Sequence, residues 1–245
     1  MRFAFVLLGV FISSVFVGCA AEDPSAPPVE LSVERVDSNG GFIATWTFDK
    51  PVRTLAFTRS AGFRTGNWIG QNGVRIETRG AKEVMISNLP AEVFKVYIPD
   101  TETRVSGDYP FMVRYSDSGR LMYSGYLLAT PTSCFANCTD EEAAFFERSP
   151  SRTRLTVTAA PSQQIVSGAG DVSTSSQMEL VRSGGLIYFG KQTPVAAKGF
   201  QILSDRKAPS WIVKDLKRVF PDLVSIGSEK LGFPLAIKPL IFIPH

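Results

Sequence analysis

From Val29 onward the apolar residues come in short runs, broken every few positions by turn residues, and this spacing constrains the architecture more than any other feature. The candidate strands are Val29–Val36, Gly41–Phe48, Thr54–Thr58, Val74–Thr78, Glu83–Ser87, Val93–Ile98, Tyr109–Tyr115 and Leu121–Leu128. After a connecting region from Thr130 to Pro150 they resume at Arg154–Ala159, Ile165–Val166, Leu186–Phe189 and Gly199–Leu203. Phe42-Ile-Ala-Thr-Trp46-Thr-Phe48 alternates apolar and polar at period two, as a half-buried strand does. The breaks carry turn chemistry: Ser38-Asn39-Gly40-Gly41, Asp49-Lys50-Pro51, Asn72-Gly73 and Asp117-Ser118-Gly119. The pattern predicts a mainly β fold, an antiparallel β-sandwich or strongly curved sheet. No fixed period is visible, which argues against a propeller or solenoid.

The period changes near the C-terminus. Pro209-Ser210 opens a helical pattern in which Ile212, Leu216, Val219 and Phe220 share one face. Pro221 is expected to end or kink that helix, with Asp222 to Leu231 continuing as a second one that buries Leu223, Ile226 and Leu231. Gly232-Phe-Pro then stops it, and Leu235–Ile243 reads as a terminal apolar strand. Asp140–Arg148 is expected to form one or two helical turns, acidic at its N-terminal end. The resulting division is 1–18 leader, 19–28 tether, 29–205 β-sandwich-type domain, and 206–245 helix plus strand, the last readable as the start of a further domain.

The chemistry open to the chain is narrow. Its one histidine is His245, the final residue of 245, so no site built on two histidines is available. A Ser-His-Asp relay would have to use that residue. The net charge of +3 is too balanced to mark a nucleic-acid surface, and no cofactor motif is present. No catalytic, cofactor-binding or metal residue is assigned.

The leader gives an address. Met1-Arg2 precedes an apolar run from Phe3 to Val17, shorter than the roughly 20 residues of a membrane span. It ends in Phe16-Val17-Gly18-Cys19, which resembles a bacterial lipobox, with Phe16 departing from the usual aliphatic residue. The resemblance implies cleavage before Cys19, acylation of that cysteine and anchoring in the cell envelope, at the outer membrane facing the periplasm in a Gram-negative cell. An ordinary signal peptide cut after Ala21 is the rival reading. Glu22 to Pro28 would be a stiff polar tether. In an exported chain Cys134 and Cys138 are expected to close a local disulfide, with free thiols the alternative.

Two stretches resemble a known family. Arg154-Leu-Thr-Val-Thr-Ala-Ala-Pro161 followed by Gln164-Ile-Val-Ser-Gly168 is similar to a strand pair in the N-terminal domain of alanyl-aminopeptidase-like gluzincin metallopeptidases, with glycyl-aminopeptidase relatives sharing the succession of parts. Val219 to Pro234, with Ile237-Lys-Pro-Leu-Ile-Phe-Ile-Pro244, resembles the family's entry to its catalytic domain. The zinc motif H-E-x-x-H and the substrate-amine motif G-A-M-E-N are absent. The resemblance implies a pre-catalytic β domain without peptidase activity of its own, meeting a catalytic domain or partner protein at Ile212, Leu216 and Phe220. The alternative is a self-contained envelope lipoprotein that serves as a ligand-binding or structural module.

Three weaker signals complete the reading. Ser204-Asp-Arg-Lys207 fits the S-x-x-K nucleophile pattern but lacks its companion motifs, so a surface turn is expected. Gly168-Ala-Gly170 reads as a hairpin connection. Trp46, Trp68, Tyr109, Tyr115, Tyr123 and Tyr126 suit a core better than a platform, with Trp68 the candidate for an exposed binding aromatic.

Overall fold

The computed structural model describes residues 29–36, 40–59, 61–80, 82–101, 110–132, 153–168, 170–180, 184–231 and 239–245. Cys19, the pair Cys134 and Cys138, Tyr109, the turns expected at Asp140–Arg148 and the first part of the strand expected at Leu235–Ile243 lie outside the described residues. In chain order the strands are β1 (Val29–Arg35), β2 (Phe42–Phe57), β3 (Ile69–Gln71), β4 (Val74–Arg79), β5 (Lys82–Ile98), β6 (Met112–Arg114), β7 (Arg120–Tyr123) and β8 (Ala129–Pro131). They continue as β9 (Thr153–Thr158), β10 (Gln164–Ser167), β11 (Val172–Ser173), β12 (Ser175–Leu180), β13 (Leu186–Gly190), β14 (Val195–Ala197), β15 (Phe200–Ser204) and β16 (Leu240–Ile243). Helix α1 (Ser210–Leu231) lies between the last two. The fold is mainly β, as the spacing predicts.

The strands form three sheets. The first runs β12-β9-β1-β2-β5-β3, with β4 on β5 and β8 on β2; the second runs β11-β10-β13-β7-β6; the third runs β14-β15-β16. Alternation of side chains stacks them in order. Trp46, Phe94, Val96 and Leu155 of the first sheet meet Met122, Ile165, Ile187 and Phe189 of the second in one core. The opposite face of the second sheet, through Leu121, Val166 and Tyr188, packs on Leu203, Leu240 and Phe242 of the third. The remaining face of the third, Phe200, Ile202, Ile241 and Ile243, is covered by Ile212 and Phe220 of α1. The central strands of the second and third sheets are thus buried on both faces, while the edge strands β11 and β14 stay exposed; burial on both faces requires apolar residues at consecutive positions. Leu240–Ile243 satisfies this with four buried side chains in a row.

Several expectations are corrected. The sheets are mixed: β1 pairs with β9, and β15 with β16, in parallel. A parallel pair needs a long connection, which α1 supplies between β15 and β16. Asp49-Lys50-Pro51 does not break the chain; it lies within β2, where the register against β5 shifts between Thr47 and Val52. A bulge there removes the need for a proline N–H and lets one strand bend instead of ending. Opposite it, Leu89 of β5 is exposed. Asn72-Gly73 does form the expected tight turn, both residues at positive φ. Ser175–Leu180 is absent from the strands that the spacing predicts, because its exposed polar residues hide an edge strand whose hydrogen bonds come from β9. The division at residue 205 falls where β15 has already paired with β16, so the third sheet spans it.

Helix α1 runs unbroken through Pro221. The proline removes the bond that the Lys217 carbonyl would accept, but Lys217 is on the exposed side, where water substitutes. Its neighbour Phe220 is held against Phe200 with ring centroids 4.8 Å apart, which fixes the helix across the weak point.

Pro221→Ala is therefore expected to raise the urea midpoint, because proline costs a helix interior about 3 kcal/mol relative to alanine. A lower midpoint would mean that the ring's packing outweighs the lost bond. Phe200→Ala is expected to destabilise by about 3–5 kcal/mol, since it empties the centre of the helix-facing core.

Candidate functional site

Three polar constellations stand out. The most buried is Arg64, fully inaccessible, on the loop between β2 and β3. Its guanidinium pairs with Glu83 of β5, donates to the Tyr126 carbonyl at 2.8 Å, and lies 4.1 Å from the Phe57 ring centroid. The Glu83 carboxylate also accepts the backbone N–H groups of Gly62, Arg64 and Thr65 at 3.0, 2.7 and 3.0 Å. Burial pushes the Arg64 pKa down to about 10, against the raising effect of the Glu83 charge and hydrogen bond. Every group is satisfied within the protein, so the cluster clamps the loop and leaves nothing directed at a ligand. Trp68 closes it, stacked in edge contacts with Phe57 and Phe63. The structure thereby corrects the expectation that Trp68 is an exposed binding aromatic. It is 6% exposed, because the clamped loop folds its indole into the core. Trp46, Tyr115, Tyr123 and Tyr126 are buried too.

The second constellation contains the only histidine. Asp205, 2% exposed, follows β15 and accepts the Ser116 hydroxyl and N–H, each at 2.5 Å, the Lys207 N–H at 2.7 Å, and Nδ1–H of His245 at 3.1 Å. Burial alone would raise the Asp205 pKa, but the bonds from Ser116, Lys207 and His245 together hold it below the usual carboxylate value. The three residue types are those of a hydrolase triad, but the order is wrong. A triad needs the imidazole between carboxylate and hydroxyl, and here the carboxylate sits between the other two. The hydroxyl proton is directed to Asp205, so the cluster ties the second sheet to the third. It also explains Ser204-Asp-Arg-Lys207: Lys207 is exposed in the turn that Asp205 organises, and the Ser204 hydroxyl donates to the Asp205 carbonyl at 3.2 Å.

A third group lies nearby. Tyr188 donates to Asp117 at 3.1 Å and accepts the Gln192 N–H at 3.3 Å, while Tyr115 donates to the Leu203 carbonyl at 3.4 Å. Burial pushes both phenols up, keeping them neutral donors between the sheets. Strands β10 and β11, which flank Gly168 and Gly170, pair antiparallel, as a hairpin does. Among the described residues no three of His, Cys, Asp and Glu gather as a metal ion would require.

The surface is more informative than the interior. On α1, Ile212 and Phe220 are 8% and 5% exposed, so they serve the core and are not free to meet a partner; Leu216 is half-buried between core and surface. The outward apolar residues are Trp211, Val219, Leu223 and Ile226, at 55, 43, 57 and 53%. Leu223 and Ile226 are expected from sequence to be buried. They are not, because the residues that the single helix α1 packs against the third sheet are Ile212, Val213, Leu216, Phe220 and Val224, and Leu223 and Ile226 lie off that face. A shallow groove runs along this side, walled by Trp211, Leu216, Val219 and Leu223, with Asp215 also lining it.

No known family profile matches this sequence, and no curated protein is similar to it. Among solved structures, an aminopeptidase N family protein from Idiomarina loihiensis is similar at 11% identity and a TM-score of 0.49, over 81% of this chain and 36% of that one. Yeast LTA4 hydrolase in complex with bestatin is similar at 11% identity and a TM-score of 0.44, over 89% of this chain and 40% of that one. This chain therefore spans two fifths or less of each.

Arg64→Met is expected to destabilise by about 3–5 kcal/mol in chemical denaturation by leaving the Glu83 carboxylate buried and unpaired. A loss under about 1 kcal/mol would show that water replaces the guanidinium. Asp205 gives a pH dependence of fixed sign. Its folded pKa lies below the unfolded value, so its contribution is present above pH 4 or so and is lost as pH falls through the folded value. Asp205→Asn should flatten the acid limb of the stability profile, and an unchanged limb would refute this assignment.

Proposed function

We propose that this chain is a non-catalytic β module that docks a partner protein on the outer side of α1 and is held at the cell envelope by lipid on Cys19. The observation that carries the reading is the set of four large apolar side chains, each more than two fifths exposed, on a single helix side beside a groove. Exposed apolar residues scattered singly are ordinary, whereas a contiguous line marks an interaction surface. The resemblance of Val219–Pro234 and Ile237–Pro244 to the entry of a gluzincin catalytic domain suggests the partner's class: a zinc peptidase domain, in the same polypeptide or another. In that arrangement the β layers support the partner and shape its surroundings, and the partner supplies the metal chemistry. The chain's own carboxylates and hydroxyls are engaged in tying its layers together, as the Asp205 and Glu83 clusters are.

The experiment places a photo-cross-linking residue at Val219 in the native host, with a control at exposed Arg53 on β2. A discrete cross-linked protein at Val219 and none at Arg53 is expected; equal yields at both positions would overturn the docking reading. The purified chain supplied with zinc should release no product from aminoacyl anilides above a zinc-only blank, and turnover that survives repurification would overturn the non-catalytic assignment. Mass spectrometry of the membrane form should find acylated Cys19 at the N-terminus, and an unmodified chain beginning at Glu22 would point to the rival cleavage after Ala21.

A further inference from the structure

We propose that the outer side of α1 is a coiled-coil-type seam whose occupant is a basic amphipathic helix; the inference rests on the docking reading above and gives it a specific chemistry. Leu216, Val219, Leu223 and Ile226 follow one another at intervals of three, four and three. That spacing is the a-d-a-d repeat of a helix presenting apolar knobs to another helix. The last three are exposed, and the groove beside the helix is lined by Leu216, Val219 and Leu223 of this set. An apolar groove on a helix matches the recognition mode in which a second helix lays its apolar face against the first.

The charges select among helices. The residues just before the a positions Leu216, Leu223 and Lys230 are Asp215, Asp222 and Glu229, one carboxylate per heptad in a single row; the apolar seam itself ends at Ile226. In a coiled coil these g positions face the flanking charges of the partner and decide which partner is accepted. Asp215 engages Arg218 at 2.9 Å, and Glu229 accepts from Ser225 at 3.2 Å. Both contacts are solvent-exposed and local to the helix, so they are readily exchanged for a partner's cation. The e positions offer no cation in return, since Phe220 is buried and position 227 is glycine.

A second copy of this chain is thereby disfavoured. Antiparallel self-pairing would set the two carboxylate rows against each other, and parallel self-pairing would face them to Phe220 and Gly227. A bilayer surface fits poorly as well. Lys214 and Lys217 lie on the far side of the helix from the stripe, while the carboxylates border it. An apolar helix with lysine or arginine at its flanking positions satisfies both the seam and the row.

The test uses two synthetic helical peptides of about three heptads, leucine at a and d, with lysine at e and g in one and glutamate in the other, both lacking tryptophan. Each is titrated into the full chain while tryptophan emission is followed. Trp211 is the exposed indole, Trp46 and Trp68 being buried, so a blue shift reports on the groove. The lysine peptide is expected to bind about tenfold or more tighter than the glutamate peptide, with the advantage shrinking as salt is added. Asp222→Lys combined with Glu229→Lys should erase the preference. Leu223→Gln combined with Ile226→Gln should abolish the shift while circular dichroism shows the fold intact, because both side chains are more than half exposed. Equal affinity for the two peptides, insensitivity to either pair of substitutions, or a Val219–Val219 cross-link between two copies would overturn the proposal. If neither peptide binds while the Val219 cross-linker captures a protein, the docking reading stands and its helical, basic occupant is wrong. If Val219 captures nothing as well, both fall.

Discussion

The central strands of the second and third sheets, β7, β10, β13, β15 and β16, pack apolar side chains on both faces, and much of the remaining architecture answers to that. A sheet buried on both sides must place apolar residues at consecutive positions and bring every polar group it carries into a hydrogen bond. The run Leu240-Ile-Phe-Ile243 and the pair Ile202-Leu203 meet the first demand. The clusters at Asp205 and Tyr115 meet the second, each joining the second sheet to the third through a side chain on one and a backbone group on the other, while Tyr188 ties its own strand to Asp117 and the Gln192 N–H. Helix α1 exists in its position because the outermost sheet would otherwise expose Phe200, Ile202, Ile241 and Ile243.

The two ionic centres do different work for the same reason. Arg64 and Glu83 fix a loop that has no regular structure of its own, and its three N–H groups find in one carboxylate what a ladder would have supplied. Asp205 fixes the order of layers by accepting bonds from Ser116 in the middle of the chain and from His245 at its far end. The residues of a hydrolase triad are therefore present and arranged for cohesion. Residue types in proximity are not a mechanism until the hydrogen bonds run in the right direction, and here they run to the carboxylate from both sides.

The proposed function lies at the surface. Part of the apolar surface of α1 lies off the face it packs on the third sheet, and that surplus is ordered: Leu216, Val219, Leu223 and Ile226 follow a-d-a-d spacing and a row of carboxylates borders them. A helix required only to cover a sheet would place polar residues at Leu223 and Ile226, where water reaches more than half of each side chain. That surplus gives the module its proposed role.

Local chemistry by itself determined the class of the fold, most strand positions, the Asn72-Gly73 turn and the start of the helix, because each depends on neighbours within a few residues. It also determined which chemistries are excluded, since a single histidine is a count and not a conformation. Only the tertiary structure decided the rest. Two strands crossed their expected break at Asp49-Lys50-Pro51 because a bulge against β5 absorbed it. Trp68 turned inward because Arg64 and Glu83, separated in sequence by a whole hairpin arm, closed the loop over it. The helix survived Pro221 because Phe220 had a distant aromatic to hold. Leu223 and Ile226 carry the same periodic signal as Ile212 and Phe220, and no reading of the helix alone separates the two pairs. Which side of an amphipathic helix is covered depends on what packs beneath it, and here that is a sheet whose strands β15 and β16 come from either side of the helix in the chain.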